Sequence, residues 1–425
     1  MYLTLRDRPQ RDQAPTSIRQ RVAGTVVLLG IVSMFTDIAT ESVNAVLPKY
    51  LIFTVGLSPQ AFGFVNGLYN GISALIRLAG GWISDRTDHP KWVAFIGYLG
   101  SAIARTGLLF ANSLTAISVI VTADRLGKGL RTAPRDAVIA AASPPESLGR
   151  AYGVHRSLDS LGAAIGPLIA FWILTYVTNG FHTVFVVSLA FSIVGVAVLL
   201  LIVPDLRPRR RKAEGKAEAV QPPPTARVSL KLLANRELGR LLIASGLLGL
   251  LTVGDAFLYL QLQLRDNLAN NYYALLMVGM NVAYLCLAVP LGRLADRFGR
   301  ARIFICGHIA LLACYLCAAG PLAGPALSIG TLVLLGGYYA ATDGTLAALS
   351  GRIVDPSVRT SAIATAQTFQ ALAGFISSLI VGLLWAHLGL ATAIRWYCPV
   401  LLIAIPIVAV VLLRLDRRTR ATVAT

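Results

Sequence analysis

Long apolar runs of about 20 residues recur along almost the whole chain, with short polar segments between them. A helix of this length crosses a bilayer, since each residue adds about 1.5 Å and the hydrocarbon core is about 30 Å thick. The sequence predicts twelve such spans, centred near residues 37, 72, 102, 123, 164, 192, 250, 284, 313, 338, 374 and 404. The expected fold class is an all-α membrane protein with 12 transmembrane helices.

Composition supports a membrane location. Hydrophobic residues make up 56% of the chain and charged residues 14%, too few to cover the water-facing surface of a soluble protein of 425 residues. The net charge of +18 comes from Lys and Arg clustered between apolar runs, a pattern typical of membrane topology and not of nucleic-acid binding. We therefore expect no nucleic-acid partner. The chain lacks HExxH, GxSxG, Walker and metal-ligand patterns, so no enzymatic activity, cofactor or metal is expected.

The predicted spans fall into two groups of six on either side of a basic, proline-rich segment. This predicts a cytoplasmic tail (1–21), an N-terminal six-helix bundle (22–203), a cytoplasmic linker (204–236), a C-terminal six-helix bundle (237–415) and a second tail (416–425). Lys and Arg concentrate in alternate loops, which places both termini in the cytoplasm of a multi-pass cell-membrane protein. Two halves of equal orientation indicate a parallel duplication with a substrate site between them.

A basic loop motif occurs once in each half. The segment Gly292–Arg302 reads GRLADRFGRAR, and a degraded copy, GWISDRTDHPK, begins at Gly81, about half the chain earlier. The pair resembles the loop signature of the major facilitator superfamily, which implies two pseudo-symmetric six-helix bundles, alternating access and a latch that breaks as the halves rock. Candidate gating residues are Gly81, Asp85, Arg86, Gly292, Asp296, Arg297, Arg300 and, from span 10, Asp343.

A second motif lies in span 5, where Gly153, Gly162, Gly166 and Pro167 have the spacing G-x8-G-x3-G-P. It resembles the antiporter motif of the same superfamily, whose glycines allow close helix packing and whose proline kinks the helix. The alternative interpretation is a general small-residue packing face, which would leave the direction of transport open.

Charged side chains inside the first span suggest proton coupling. Asp37 and Glu41 are four residues apart and share a helical face. Two carboxyl groups this close in a low dielectric cannot both ionise cheaply, which favours proton exchange by one of them. The alternative is that they neutralise Arg125, Lys128 or Arg77 in a static network.

Span 4 also carries buried charge. Counting about 1.5 Å per residue from its outer end places Asp124 and Arg125 roughly 16 to 18 Å deep, near the middle of the membrane. A charge there is a functional candidate, and Lys128 joins it one turn further on. Arg131 and Arg135 are expected to extend to the cytoplasmic interface.

Two further carboxylates complete the candidate coupling and substrate site. We expect Asp159 of span 5 to pair with Arg125 or Lys128, and Asp255 of span 7 to be the second-half counterpart of Asp37. Together with the antiporter-like motif, these groups predict a monomeric, proton-coupled exporter of a small molecule in the lipid bilayer. The alternatives are a proton symporter that imports a small organic anion and a transporter-like sensor that binds ligand without moving it.

Overall fold

The computed structural model describes residues 23–144, 147–206, 235–354 and 359–424. The predicted tail 1–21 and most of the predicted linker, 207–234, lie outside the described residues. The long helices are α1 Gly24–Asn44, α2 Pro59–Thr87, α3 Pro90–Gly107, α4 Leu114–Ala142, α5 Leu148–Tyr176, α6 Phe181–Leu201, α7 Arg236–Leu250, α8 Asp255–Arg265, α9 Tyr272–Phe298, α10 Arg300–Ala319, α11 Pro325–Ile353, α12 Arg359–Leu388 and α13 Leu390–Ala424.

These helices make twelve membrane-spanning segments, because α7 and α8 together form one broken span. A short helical stretch extends α1 to Thr54. Every predicted span centre falls within a described helix, so the predicted fold class is confirmed. Nine spans in the described part of the chain are long and apolar enough to cross a membrane. The spans α2, α3 and α4 are not among these nine, and α4 is the helix that carries most of the buried charge.

Helix boundaries follow local sequence signals. The side chains of Ser58, Ser113 and Asn235 accept hydrogen bonds from backbone N–H groups in the first turns of α2, α4 and α7. Such caps satisfy donors that have no partner within the helix. The turns after α9 and α12 contain Gly299 (φ 108°) and Gly389 (φ 82°), a conformation that glycine adopts without a steric penalty.

The two halves repeat one packing scheme. In the first half α1 packs on α5 and α6, α2 on α4, and α3 on α6; in the second half α7 packs on α12 and α13, α9 on α11, and α10 on α13. The halves meet along two seams, α2 with α12 and α5 with α9. The fold is therefore two pseudo-symmetric six-span bundles, as the duplicated loop motif indicated.

Several described contacts join the halves at one end of the bundle. We call the end that holds Leu206 and Asn235 the terminal side and the opposite end the far side. At the far side Lys49 donates a hydrogen bond to the Asn270 amide oxygen, and Asn271 donates to Thr175 Oγ1 at 3.1 Å. The ring of Phe62 contacts those of Phe257 and Trp385. The bundles are closed at the far side.

Glycines allow this closure. A Cβ at Gly63 of α2 would lie 2.6 Å from the Ser378 carbonyl oxygen and 2.9 Å from the Cα of Gly382 on α12. Distances this short exclude any side chain, so the two backbones touch. Beside this contact Asn66 donates to Ser378 Oγ at 3.1 Å.

A far-side clasp joins α8 to α10 and α11. Arg265 donates to Asp266 at 2.8 Å and to the Cys317 carbonyl at 2.7 Å, and Asp266 also accepts from Ser328 Oγ and the Gly324 N–H. These hydrogen bonds, chiefly that from Arg265, lower the pKa of Asp266 to about 2. Its contribution to stability is therefore present above the ordinary aspartate pKa and is lost as the pH falls through about 2.

Candidate functional site

Asp37 of α1 and Asp159 of α5 form a carboxyl pair across the seam between the two helices. Their side chains lie within hydrogen-bonding distance of each other. Two carboxyl groups share a hydrogen bond only when one carries a proton, because an ionised carboxylate is solely an acceptor. Lys128 and Arg131 lie within electrostatic range of Asp37, and Arg135 Nη1 lies 3.9 Å from Asp159 Oδ1. The pair thus offers a site for one proton beside fixed cations.

Two glycines of the span 5 motif set the separation of the helices at this pair. A Cβ at Gly162 would lie 2.9 Å from the Cα of Met34, and a Cβ at Gly166 would lie 2.8 Å from the Ile38 carbonyl oxygen. Met34 and Ile38 lie on either side of Asp37 along α1. The other motif residues are Gly153, which faces open space, and Pro167, which is buried inside α5.

A hydrogen-bond network covers the terminal side of the pair. Ser33 Oγ lies 3.0 Å from His155 Nε2, 3.3 Å from the Tyr98 hydroxyl and 3.2 Å from Arg135 Nη1. Arg135 also donates twice to Asp136 Oδ1 at 3.1 Å. The network joins α1, α3, α4 and α5, so the groups around the carboxyl pair are held from four helices.

A separate ionic cluster lies deeper in the first half. Asp124, which is 7% exposed, accepts from Arg125 Nε at 3.0 Å, and its other oxygen lies 3.1 Å from Arg105 Nη2. Arg105 also donates to Ser192 Oγ at 2.6 Å and Thr40 Oγ1 at 2.5 Å. The cluster connects α1, α3, α4 and α6 and neutralises much of its own charge, which favours a structural role for Asp124.

Glu41 lies near the interface between the halves. It accepts a hydrogen bond from Asn44 Nδ2 at 3.1 Å and lies within electrostatic range of Lys128. Beside it the Arg125 guanidinium stacks 3.8 Å from the ring centroid of Tyr69. Arg125 is therefore held by the carboxylate of Asp124 and by the ring of Tyr69.

The second-half acid Asp255 lies where span 7 is broken. Residues 251–254 separate α7 from α8, and Asp255 is the first residue of α8. Tyr315 binds this irregular segment by accepting from the Val253 N–H at 2.7 Å and donating to a carbonyl at its start. Non-helical backbone at membrane depth is tolerated where protein groups satisfy it, and such breaks commonly form transporter binding sites.

The described gating residues of the second-half copy interact with close neighbours in the sequence. Asp296 is 71% exposed and pairs with Arg300 of the same loop at 3.2 Å. Arg297 lies over the Phe298 ring, and Gly292 has open space around its Cα. In the first-half copy Arg86 is exposed, whereas the surroundings of Gly81 and Asp85 lie outside the described residues.

Three expectations differ from the structure. The described ion pair of Asp159 is with Arg135 instead of Arg125 or Lys128, and its carboxyl group faces that of Asp37, because α5 packs along α1. Arg131 does not reach an interface: it is 4% exposed, with its guanidinium 4.4 Å from the ring centroid of Tyr98. Arg135 is likewise held in the network around the pair.

Sequence reasoning missed Arg105 and the break in span 7. The available signal for Arg105 was a lone cation in an apolar run, roughly 22 Å along span 3 from its start. For the break, the signal was Gly254 followed by an acid, a weak pattern because single glycines are tolerated in membrane helices.

A polar site enclosed by two six-span bundles defines the class of membrane transporters that work through paired halves. The chain belongs to the Major Facilitator Superfamily, whose family model matches residues 29–280 and 257–425. It is similar to an uncharacterized MFS-type transporter of Methanocaldococcus jannaschii, at 27% identity over 86% of this chain and 89% of that protein.

Other relatives match over shorter stretches or by fold. Multidrug resistance protein MdtH of Proteus mirabilis is 30% identical over 31% of this chain and 32% of its own length. Among solved structures, nucleoside transporter NupG superposes with a TM-score of 0.76 at 15% identity, covering 91% of this chain and 99% of NupG. A POT family transporter superposes with a TM-score of 0.76 at 13% identity, covering 92% and 96%. These superpositions support the fold.

Proposed function

We propose that this transporter is a proton-coupled exporter of a small molecule, in which Asp37 and Asp159 bind the coupling proton. The observation that carries the proposal is the hydrogen-bonding contact between their carboxyl groups inside the membrane. Ionisable groups at this depth are costly, and in transporters they commonly form proton relays. The contact between the two carboxyl groups is intact only when they share a proton. Protonation of the pair can therefore be coupled to the arrangement of α1 and α5.

Charge balance supports an exchangeable proton. Among the described residues, the charged side chains around the carboxyl pair and the Asp124 cluster comprise five cations and five carboxylates: Arg105, Arg125, Lys128, Arg131, Arg135, Asp37, Glu41, Asp124, Asp136 and Asp159. Fully ionised, these groups balance; with one proton on the carboxyl pair the cluster carries one excess positive charge. Gain and loss of that proton therefore change the net charge beside the interface, which changes its affinity for a charged substrate.

The proposed direction is outward. The basic loops favour a cytoplasmic location for the terminal side, so that the closed far side faces outward and the substrate enters from the cytoplasm. The motif containing Gly162 and Gly166 resembles that of antiporters, and relatives such as MdtH are named multidrug resistance proteins. In the proposed cycle a proton from outside protonates the carboxyl pair as the substrate leaves, and loss of that proton to the cytoplasm resets the carrier.

Transport by purified protein in liposomes tests the proposal. Two permanently charged probes with one benzene ring each, benzyltrimethylammonium and benzenesulfonate, avoid passive redistribution of weak acids and bases. With the membrane potential clamped by potassium and valinomycin, an outward proton gradient is expected to drive probe uptake. Uptake only with an inward gradient would instead support the anion symporter, and saturable binding without flux would support the sensor; either result contradicts the proposal.

A further inference from the structure

Asp255 is a membrane-embedded acid that has no basic partner in the part of the chain that the structure describes. Its Oδ1 accepts a hydrogen bond from the Tyr339 hydroxyl at 2.6 Å, and the nearest described charge is another acid, Asp343. Within the described residues no Lys or Arg forms an ion pair with it. The first-half acids differ, since Asp124, Asp136 and Asp159 each have an arginine nearby.

The α8 N-terminus and one hydrogen bond offset only part of the cost of this charge. Asp255 occupies the first turn of α8, where the helix dipole favours a negative charge. A membrane carboxylate usually has a full counter-charge. The counter-charge of Asp255 is therefore left to be supplied by a cation that is not part of the chain.

Several tyrosine rings are packed around this acid. Tyr259, one turn along α8, lies within electrostatic range of Asp255, and its ring contacts that of Tyr273 edge-on at 5.9 Å. The ring of Tyr339 lies 5.0 Å from that of Tyr338. Aromatic faces attract organic cations, and several tyrosines around one carboxylate are a recurring solution for quaternary ammonium groups.

The opposite bundle completes the site. Glu41 of α1 lies within electrostatic range of both Tyr259 and Tyr69 of α2. The hydroxyls of Tyr69 and Tyr259 are buried and have no hydrogen-bond partner among the described residues. A buried hydroxyl without a hydrogen-bond partner destabilises a fold, so two such hydroxyls beside one acid indicate a place where a ligand supplies the contacts.

We propose that the transported molecule is an organic cation, bound between Asp255 and Glu41 and faced by the rings of Tyr259 and Tyr339. This inference rests on the proposed export function and names its substrate class. It assigns recognition to the second half and proton binding to Asp37 and Asp159 in the first. Loss of a proton from that pair leaves the cluster beside Glu41 one charge more negative, which strengthens cation binding in the state open to the cytoplasm.

Equilibrium binding in lipid nanodiscs tests the site without requiring transport. We expect saturable binding of labelled benzyltrimethylammonium at least tenfold tighter than that of benzenesulfonate. Asp255→Asn, which keeps the acceptor for Tyr339 and removes the charge, should weaken cation binding at least tenfold. The matched control is Glu237→Gln, an acid-to-amide change at the start of α7 on the terminal side, which should bind like wild type.

A second pair of variants tests whether cation binding depends on the tyrosine rings around Asp255 or only on the stability of the fold. Tyr259→Leu removes a ring beside the acid and should weaken cation binding about fivefold, whereas Tyr272→Leu, an exposed ring on α9, should leave it unchanged. Equal binding of the two probes by wild type, or unchanged cation affinity in Asp255→Asn, would overturn the proposal.

The same assay keeps this inference distinct from the function it rests on. Asp37→Asn should still bind benzyltrimethylammonium while losing proton-driven transport. If Asp37→Asn transports normally and Asp255→Asn loses binding, the assignment of the proton site fails and the cation site stands. If Asp37→Asn loses transport and Asp255→Asn binds normally, the proton site stands and the cation site fails.

Discussion

The carboxyl groups of Asp37 on α1 and Asp159 on α5 lie within hydrogen-bonding distance of each other, inside the membrane and far apart in the sequence. Gly162 and Gly166 bring the two helices together at this contact. The motif that resembles that of antiporters thus has a physical role here, since it sets the distance between the two acids.

The first prediction concerns coupling. Asp37→Asn and Asp159→Asn should each abolish proton-driven uptake of benzyltrimethylammonium, because an amide cannot gain and lose the proton. Probe-for-probe exchange at equal pH should remain within about threefold of wild type, since it requires no net proton movement. Liposome assays of both reactions check this. Loss of exchange together with driven uptake would indicate a structural defect and would contradict the assignment.

The second prediction concerns the seam. Gly162→Ala should separate α1 from α5, since its Cβ would meet the α1 backbone at Met34. We expect a stability loss of about 1 to 3 kcal/mol, as for other overpacked sites, and at least a tenfold loss of proton-driven transport. Gly153→Ala is the matched control, because Gly153 faces open space on the same helix. Equal behaviour of the two variants in melting and transport assays would show that the seam does not position the pair.

The ionic cluster around Asp124 gives the third prediction. Asp124→Asn should destabilise the protein by about 3 to 5 kcal/mol, because it leaves Arg105 and Arg125 buried without their counter-charge. The loss is measured by size-exclusion chromatography as the fraction of protein that remains monodisperse after heating. Asp136→Asn is the control, since Asp136 is 42% exposed. Comparable heat resistance of both variants would mean that the cluster does not hold the helices together.

The fourth prediction concerns closure of the far side. Gly63→Ala should oppose the contact between α2 and α12, because the added methyl would lie 2.6 Å from the Ser378 carbonyl oxygen. Spin labels at Phe53→Cys and Leu322→Cys, both exposed far-side positions on opposite halves, should then report longer distances in a background without other cysteines. Gly100→Ala, where a methyl meets open space, should keep the wild-type distance distribution. An unchanged distribution in Gly63→Ala would contradict the role of this contact.

The sequence predicts the fold well because its strongest signals are long. Twelve apolar runs and a repeated loop are enough to place every span and to relate the halves. Burial depth is also predictable, since rise per residue is fixed, and this located Asp37, Arg125 and Asp159 within the membrane.

Pairing between helices is less predictable. Spacing places Asp37 and Glu41 on one face, but the closest partner of Asp37 comes from another helix, whose approach depends on the glycines of α5. The burial of Arg131 depends in the same way on a ring, Tyr98, supplied by α3. Such contacts are set by rotation and separation of helices, which periodicity gives only to within about a turn.

Infrared difference spectroscopy tests the shared proton most directly. Spectra of protein with isotope-labelled aspartate, recorded as the pH is raised, report the carbonyl band of each protonated carboxyl group. The account predicts a titrating band in wild type that is absent from both Asp37→Asn and Asp159→Asn and present in Asp136→Asn. The same band in either of the first two variants, at unchanged intensity, would contradict it.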